Sequence, residues 1–235
     1  MPKKRLVAST NVRLEWQRRV AAEYRSSAVT QQLTIWLTQL GASPDLVYAG
    51  LRIARDELDH AALSHQVLER AGGSVGEELT MDREALSLPR RYPDSLERDI
   101  TLVALEAFCL GETVAVPLFK ALREGCTVPE ARRVLDRILR DEVRHRDFGW
   151  TLLGWLFEAP FGEEMRAFAR LSLPGAFARL RSAYCMGQTD AIASEDRLWG
   201  LMPSARYATI LERAVTRDFK PRFGRVGIDL DAVLA

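Results

Sequence analysis

The octad "IARDELDH", residues 53–60, is answered 85 residues later by "ILRDEVRH", residues 138–145. Ile, Arg, Asp, Glu and His recur at matching positions, and each octad closes with a glutamate and a histidine three apart. On a helix, residues i and i+3 lie side by side on one face. Glu57 with His60, and Glu142 with His145, therefore each present a carboxylate and an imidazole toward one point. A single Glu-x-x-His is commonplace on an exposed helix. Two copies that consume two of the chain's three histidines need a different explanation.

Outward from the octads, apolar residues recur at three- and four-residue spacing and strand-like alternation is scarce, which predicts helices nearly throughout. The first runs from Val12 to Leu40 and stops at Gly41; Ser43 caps the second and Pro44 suits its first turn. The second ends at Gly72-Gly73, and a polar stretch, residues 72–93, is long enough to cross the length of a bundle. The third runs from Asp94 to Glu124 and ends at Gly125; the fourth, with Thr127 as cap and Pro129 in its first turn, reaches Phe157. Glu57 lies 13 residues after Pro44, and Glu142 lies 13 after Pro129. Each octad thus sits at the same height on its helix. Two helical hairpins joined by one long crossover predict an all-α fold, the ferritin-like form of the four-helix bundle. The bundle occupies residues 12–157. Two further helices, at 161–184 and 204–219, extend it within a single domain, residues 1–235.

A hydrophobic fraction of 47% is enough to bury a sizeable core, and a net charge of +1 argues against nucleic acid or an anionic membrane as partner. The basic "MPKKR" at the start is followed by no apolar run, so no signal peptide is expected. No uninterrupted apolar run of about 18 residues suggests a membrane span. Cys109, Cys126 and Cys185 form no CxxC and fit a reduced, cytoplasmic interior as small buried hydrophobes.

Two inward Glu-x-x-His pairs on facing helices are the array that holds a dinuclear iron or manganese site, completed by one glutamate from each remaining helix. Carboxylates are hard donors able to bridge two cations, and imidazole is a neutral donor that suits iron. The first helix offers Glu15 and Glu23. Glu23 lies 20 residues before Ser43 and Glu57 lies 14 after it, which sets Glu23 near the height of His60 and makes it the better ligand. The third helix offers Glu106 and Glu112 in "LEAFCLGETVAV", an apolar run where an unpaired carboxylate is costly. Hairpin symmetry points near residue 107 and favours Glu106. The 30-residue gap to Glu142, with Gly111 leaving room, suits Glu112. Asp56 and Asp141 each precede a ligand glutamate. They are candidates to accept the other ring N–H of a ligand histidine, against pairing with Arg55 or Arg140.

The pattern Glu23, Glu57, His60, Glu112 or Glu106, Glu142, His145 resembles the ferritin-like diiron carboxylate superfamily, which includes rubrerythrin and the ribonucleotide reductase small subunit. "CLGETVAV" followed by "RDEVRHRDFGWTLLGWL" is similar to a group of bacterial ferritin-like proteins of poorly defined function, and this places Glu112 ahead of Glu106. The resemblance implies that Glu57 and Glu142 bridge the metals, that Glu23 and the third-helix glutamate are terminal ligands, and that Asp56 serves His145 while Asp141 serves His60. It also implies two iron ions, or a manganese–iron pair, with O2 as co-substrate. The radical tyrosine of ribonucleotide reductase would fall near Ser64, which excludes that activity. Tyr24 is turned about 100° from Glu23, and His65 is a poor fit to the face of His60. Trp36, Trp150, Trp155, Phe108 and Phe119 sit at helical spacing and read as core or cavity lining.

The expected activity is a diiron oxidase or oxygenase acting on a small organic substrate. The residues beyond Phe157 favour this, and "FKPRFGRVGIDLDAVLA" is available to close over the site. An electron donor or reductase would be a partner, and a homodimer is compatible with the architecture. The alternatives are ferroxidase and storage chemistry, or a rubrerythrin-like peroxide scavenger, which here lacks the usual rubredoxin-type cysteines.

Overall fold

The computed structural model describes residues 8–76, 81–185 and 192–235, except for the side chain of Cys185. Those residues form eight helices and no strand. α1 is Thr10–Gln39 and α2 is Pro44–Ala71. α3 is continuous from Leu96–Val103 through a π-helical segment, Ala104–Glu112, into Thr113–Gly125. α4 is Pro129–Glu158 and α5 is Gly162–Cys185. α6 is the single turn Ser194–Arg197. α7 joins Ser204–Ala214, a π-helical turn Val215–Phe219 and Lys220–Arg225, and α8 is Leu230–Leu234.

The termini follow from local chemistry, with small departures from the sequence expectation. α1 starts earlier than Val12 because the Ser9 hydroxyl accepts from the Val12 amide at 3.2 Å. Ser95 caps α3 in the same way through the Arg98 amide, so α3 begins at Leu96 and not Asp94. Thr127 does not cap α4: Val128 holds that position, and the Thr127 amide donates to the Leu198 carbonyl instead. Ser43 has the capping backbone geometry without a side-chain hydrogen bond. Gly41, at φ 76°, turns the chain from α1 into α2 in a conformation that a Cβ would disfavour.

α1 and α2 pack along their lengths; α4 lies against α2 and α3, and α5 covers α3 and α4. Through their middle runs one apolar core, which includes Trp16, Leu33, Leu68, Phe108, Leu135 and Phe177. α3 is apolar and long enough to cross a membrane, yet 67% of its most apolar window is buried against the other helices. The C-terminal segment joins this core. Phe223 packs on Trp150 and near Phe177, and Phe219 stacks edge-on to Phe177. It therefore does not close over the octads as expected; burying its two phenylalanines holds it against α4 and α5.

The crossover is tied down at its C-terminal end. Asp99, 2% exposed, accepts from the amides of Arg91 and Tyr92 and from the Arg90 guanidinium. One buried carboxylate thus fixes the path of the chain into α3.

Candidate metal centre

The octads face each other. His60 and His145 are fully buried, with ring centroids 5.7 Å apart. Glu57 turns one oxygen toward each: Oε2 lies 3.6 Å from His60 Nδ1, and Oε1 lies 3.2 Å from His145 Nδ1. Glu142 does the same, with Oε1 3.9 Å from His60 Nδ1 and Oε2 3.6 Å from His145 Nδ1. Glu23, from α1, adds Oε2 at 3.8 Å from His60 Nδ1. Two sets of donor atoms result, Glu23, Glu57, His60 and Glu142, and Glu57, Glu112 and His145, each with its atoms within 4.8 Å of one another.

Of the two third-helix candidates, Glu112 is in this cluster and Glu106 is not. Glu106 pairs with Arg179 and lies 3.6 Å from Arg91, in partial contact with solvent. Both lie in the π-helical segment, Ala104–Glu112. Its i→i+5 bonding changes the angular spacing of side chains along the helix and shifts the inward position. Simple hairpin symmetry, which assumes regular α-helical spacing, pointed instead near residue 107. The segment is pinned against α4. The Cys109 thiol donates to the Gly149 carbonyl at 3.3 Å, and the Trp150 indole donates to the Thr113 hydroxyl at 2.9 Å. A Cβ on Gly149 would stand 2.5 Å from Phe108 Cβ, so α3 and α4 touch there backbone to backbone.

Each imidazole turns its Nε2 outward to an aspartate of the opposite helix: His60 to Asp141 at 3.2 Å and His145 to Asp56 at 3.5 Å. Neither aspartate uses Arg55 or Arg140, whose side chains are exposed. Arg144 reaches both, at 2.9 Å from Asp56 and 2.7 Å from Asp141, and Arg137 also contacts Asp141. These two arginines went unnoticed in the sequence. They lie four before and three after Asp141, on its helical face, and that spacing was readable.

Burial raises the carboxyls of Glu23, to about 7, and Glu142, to about 8. Burial, and then the charge of Glu142, pushes Glu112 well up. Glu57 is moved down: burial opposes its charge, but the facing imidazoles of His145 and His60 outweigh it. His60 rises to about 11 because Glu23 and Glu57 overcome the cost of burying its charge, and His145 rises through Glu57. Two imidazoles bring too little positive charge for the four facing carboxyls to ionise together, so protons make up the difference. Glu57 Oε2, Glu142 Oε2, His60 Nδ1 and both ring nitrogens of His145 have no hydrogen-bond partner within the protein. Unsatisfied buried donors and acceptors are uncommon and call for a ligand. Carboxylate oxygens and imidazole nitrogens at these distances fit cations.

A cavity of about 610 Å3 opens directly on Glu23, Glu57, Glu112 and Glu142, and Phe119, Tyr184 and Tyr207 form part of its wall. Burial drives the Tyr184 phenol upward, and Glu112, Glu142 and Glu23 push the same way. Both tyrosines escaped the sequence reading, since they come from α5 and α7, far from either octad. Among the weaker candidates, His65 and Tyr24 are exposed and take no part, and Glu15 pairs with Arg19 at 3.1 Å. Trp36 and Phe108 are core. Cys109 and Cys126 are buried free thiols, both pushed up by burial and so unreactive. No family model matches the chain, and no curated protein matches it.

Proposed function

We propose that this chain is a dinuclear-metal oxidoreductase. In this reading α1–α4 are a four-helix bundle of ferritin-like topology and α5–α8 are its extension. The observation that carries the proposal is the pairing of Glu57 and Glu142, each of which directs one oxygen to each histidine. A carboxylate placed between two imidazoles is placed to bridge two cations. Glu23 would complete the position beside His60, and Glu112 the position beside His145. Hard oxygen donors with imidazole suit iron, or iron with manganese. When bound, a metal pair would supply open coordination positions and relay electrons to O2 from an organic substrate or an electron donor.

The protein's own contribution is placement. Asp141 hydrogen-bonds His60, and Asp56 lies 3.5 Å from His145 Nε2, each on the side away from the inward Nδ1. The buried surroundings exclude water from the carboxylates except through the cavity. That cavity favours an organic substrate over simple iron oxidation, which needs only a path for ions. Elemental analysis of the purified protein tests the assignment: two iron, or one iron and one manganese, per chain are expected. The Glu57→Ala and His145→Ala proteins should lose one or both while keeping their helical circular dichroism. Full occupancy in both variants would reject it.

A further inference from the structure

A second cavity, of about 480 Å3, lies between α1, α3, α5 and the end of the crossover. Val29, Trp36, Leu102, Val103, Phe108 and Leu180 give it an apolar body. Its charged lining differs in kind. Arg25 comes from α1, Arg91 from the crossover and Arg179 from α5, and they meet the carboxylates of Glu106 and Asp99. Asp99 is already neutralised by Arg90. Glu106 is shared between Arg179 and Arg91. Arg25 has no hydrogen bond or ion pair among the described residues. Three guanidinium groups against one available carboxylate leave an excess of two positive charges beside an apolar chamber. The chain as a whole carries only +1, so this excess is local.

Two of the three guanidinium charges have no carboxylate of the protein to match them, and a ligand carboxylate would match one of these in a charge-assisted pair. Ala22, Ser26, Ala183 and Tyr184 line both this cavity and the one over the metal centre, so the two are neighbours across a wall of three small side chains and one phenol. We propose that this cavity binds an organic acid with an apolar body: its carboxylate pairs with Arg25, Arg91 and Arg179, and its apolar part lies in the chamber and points past Tyr184 toward the carboxylate cluster. The binding half of this proposal stands on the cavity alone; the direction of the apolar part rests on the metal-centre reading. Arg25 is exposed, and Arg91 and Arg179 keep more than half of their side chains exposed. Their pairing therefore selects the head group, and burial of the apolar body supplies most of the affinity.

Titration calorimetry with decanoate, 1-decanol and acetate, on the protein as purified and after chelator treatment, tests it. Decanoate should bind once per chain in both preparations, acetate should not bind, and 1-decanol should bind about tenfold or more weakly. In the Arg25→Gln/Arg179→Gln protein, decanoate should weaken to the level of 1-decanol while 1-decanol is unchanged. Ala107→Trp fills the chamber and should abolish binding of both. Equal affinity for decanoate and 1-decanol, no binding of decanoate, an arginine variant that binds decanoate as tightly as the parent, or an Ala107→Trp protein that still binds would each overturn the proposal. Loss of the metal reading would leave decanoate binding intact, and loss of decanoate binding would leave the metal content intact.

Discussion

His60 Nε2 lies 3.2 Å from Asp141 Oδ2 on the facing helix, while its Nδ1 turns inward toward Glu23, Glu57 and Glu142. In the neutral imidazole, a proton held on Nε2 by this aspartate would leave Nδ1 free to bind a cation. Asp141→Asn keeps the shape and removes the charge. Metal affinity, read by competition with a chelator of known strength, is expected to fall about 10- to 100-fold with the fold unchanged.

Glu106 and Glu112 lie six residues apart on one helix and have unlike surroundings. Glu112→Ala should lower metal content, because it removes a carboxylate from the set around His145. Glu106→Ala should leave metal content unchanged and affect only the ion pairs to Arg179 and Arg91. Metal-to-protein ratios of the two variants, measured side by side, check this.

Metal binding should release protons. Glu142 at about 8 and Glu23 at about 7 are largely or half protonated near neutral pH, and His60 at about 11 is charged. Cations bind the carboxylate and neutral imidazole forms, so these groups hold more protons in the free protein than in the loaded one. The sign follows: apparent affinity rises with pH and falls as pH drops through about 7. Calorimetry in buffers of different ionisation enthalpy should report net proton release, and chelator competition at several pH values should give the slope.

At Gly149 an alanine Cβ would fall 2.5 Å from Phe108 Cβ and 2.8 Å from its carbonyl carbon. Backbone cannot move aside as a flexible side chain can. Gly149→Ala is expected to cost about 1–3 kcal/mol through overpacking, seen as a lower midpoint in thermal or urea unfolding.

Asp99→Ala removes the acceptor shared by Arg90 and by the amides of Arg91 and Tyr92. Stability should fall by about 1–3 kcal/mol. Hydrogen exchange should accelerate at residues 88–92 and stay slow in the middle of α3.

The long helices were legible because their signals are local: Gly41, Pro44, Gly72 and Pro129 punctuate the chain where α1, α2 and α4 begin or end. Glu57, His60, Glu142 and His145 were legible because a duplicated pattern at equal heights specifies a shared face. Spacing alone did not choose between Glu106 and Glu112, which the resemblance ranked in favour of Glu112, because the choice turns on the π-helical segment of α3, and no residue type announces an i→i+5 turn. Tyr184 and Tyr207 reach the cavity by the packing of α5 and α7, which periodicity does not specify. The C-terminal segment was misplaced for a related reason. Its aromatic residues told of burial but not of the partner, which proved to be Trp150 and Phe177.

Arg144 Nη2 donates to both Asp56 and Asp141, and each aspartate lies against the imidazole of the opposite helix. Arg137 also contacts Asp141 and lies 3.6 Å from Asp56, so two guanidinium groups join the halves of the centre. If the cluster takes two cations, an ion beside one histidine would steady these arginines and the far aspartate; loading is then expected to be cooperative, and Arg137→Ala/Arg144→Ala to spread the binding isotherm into two separate steps.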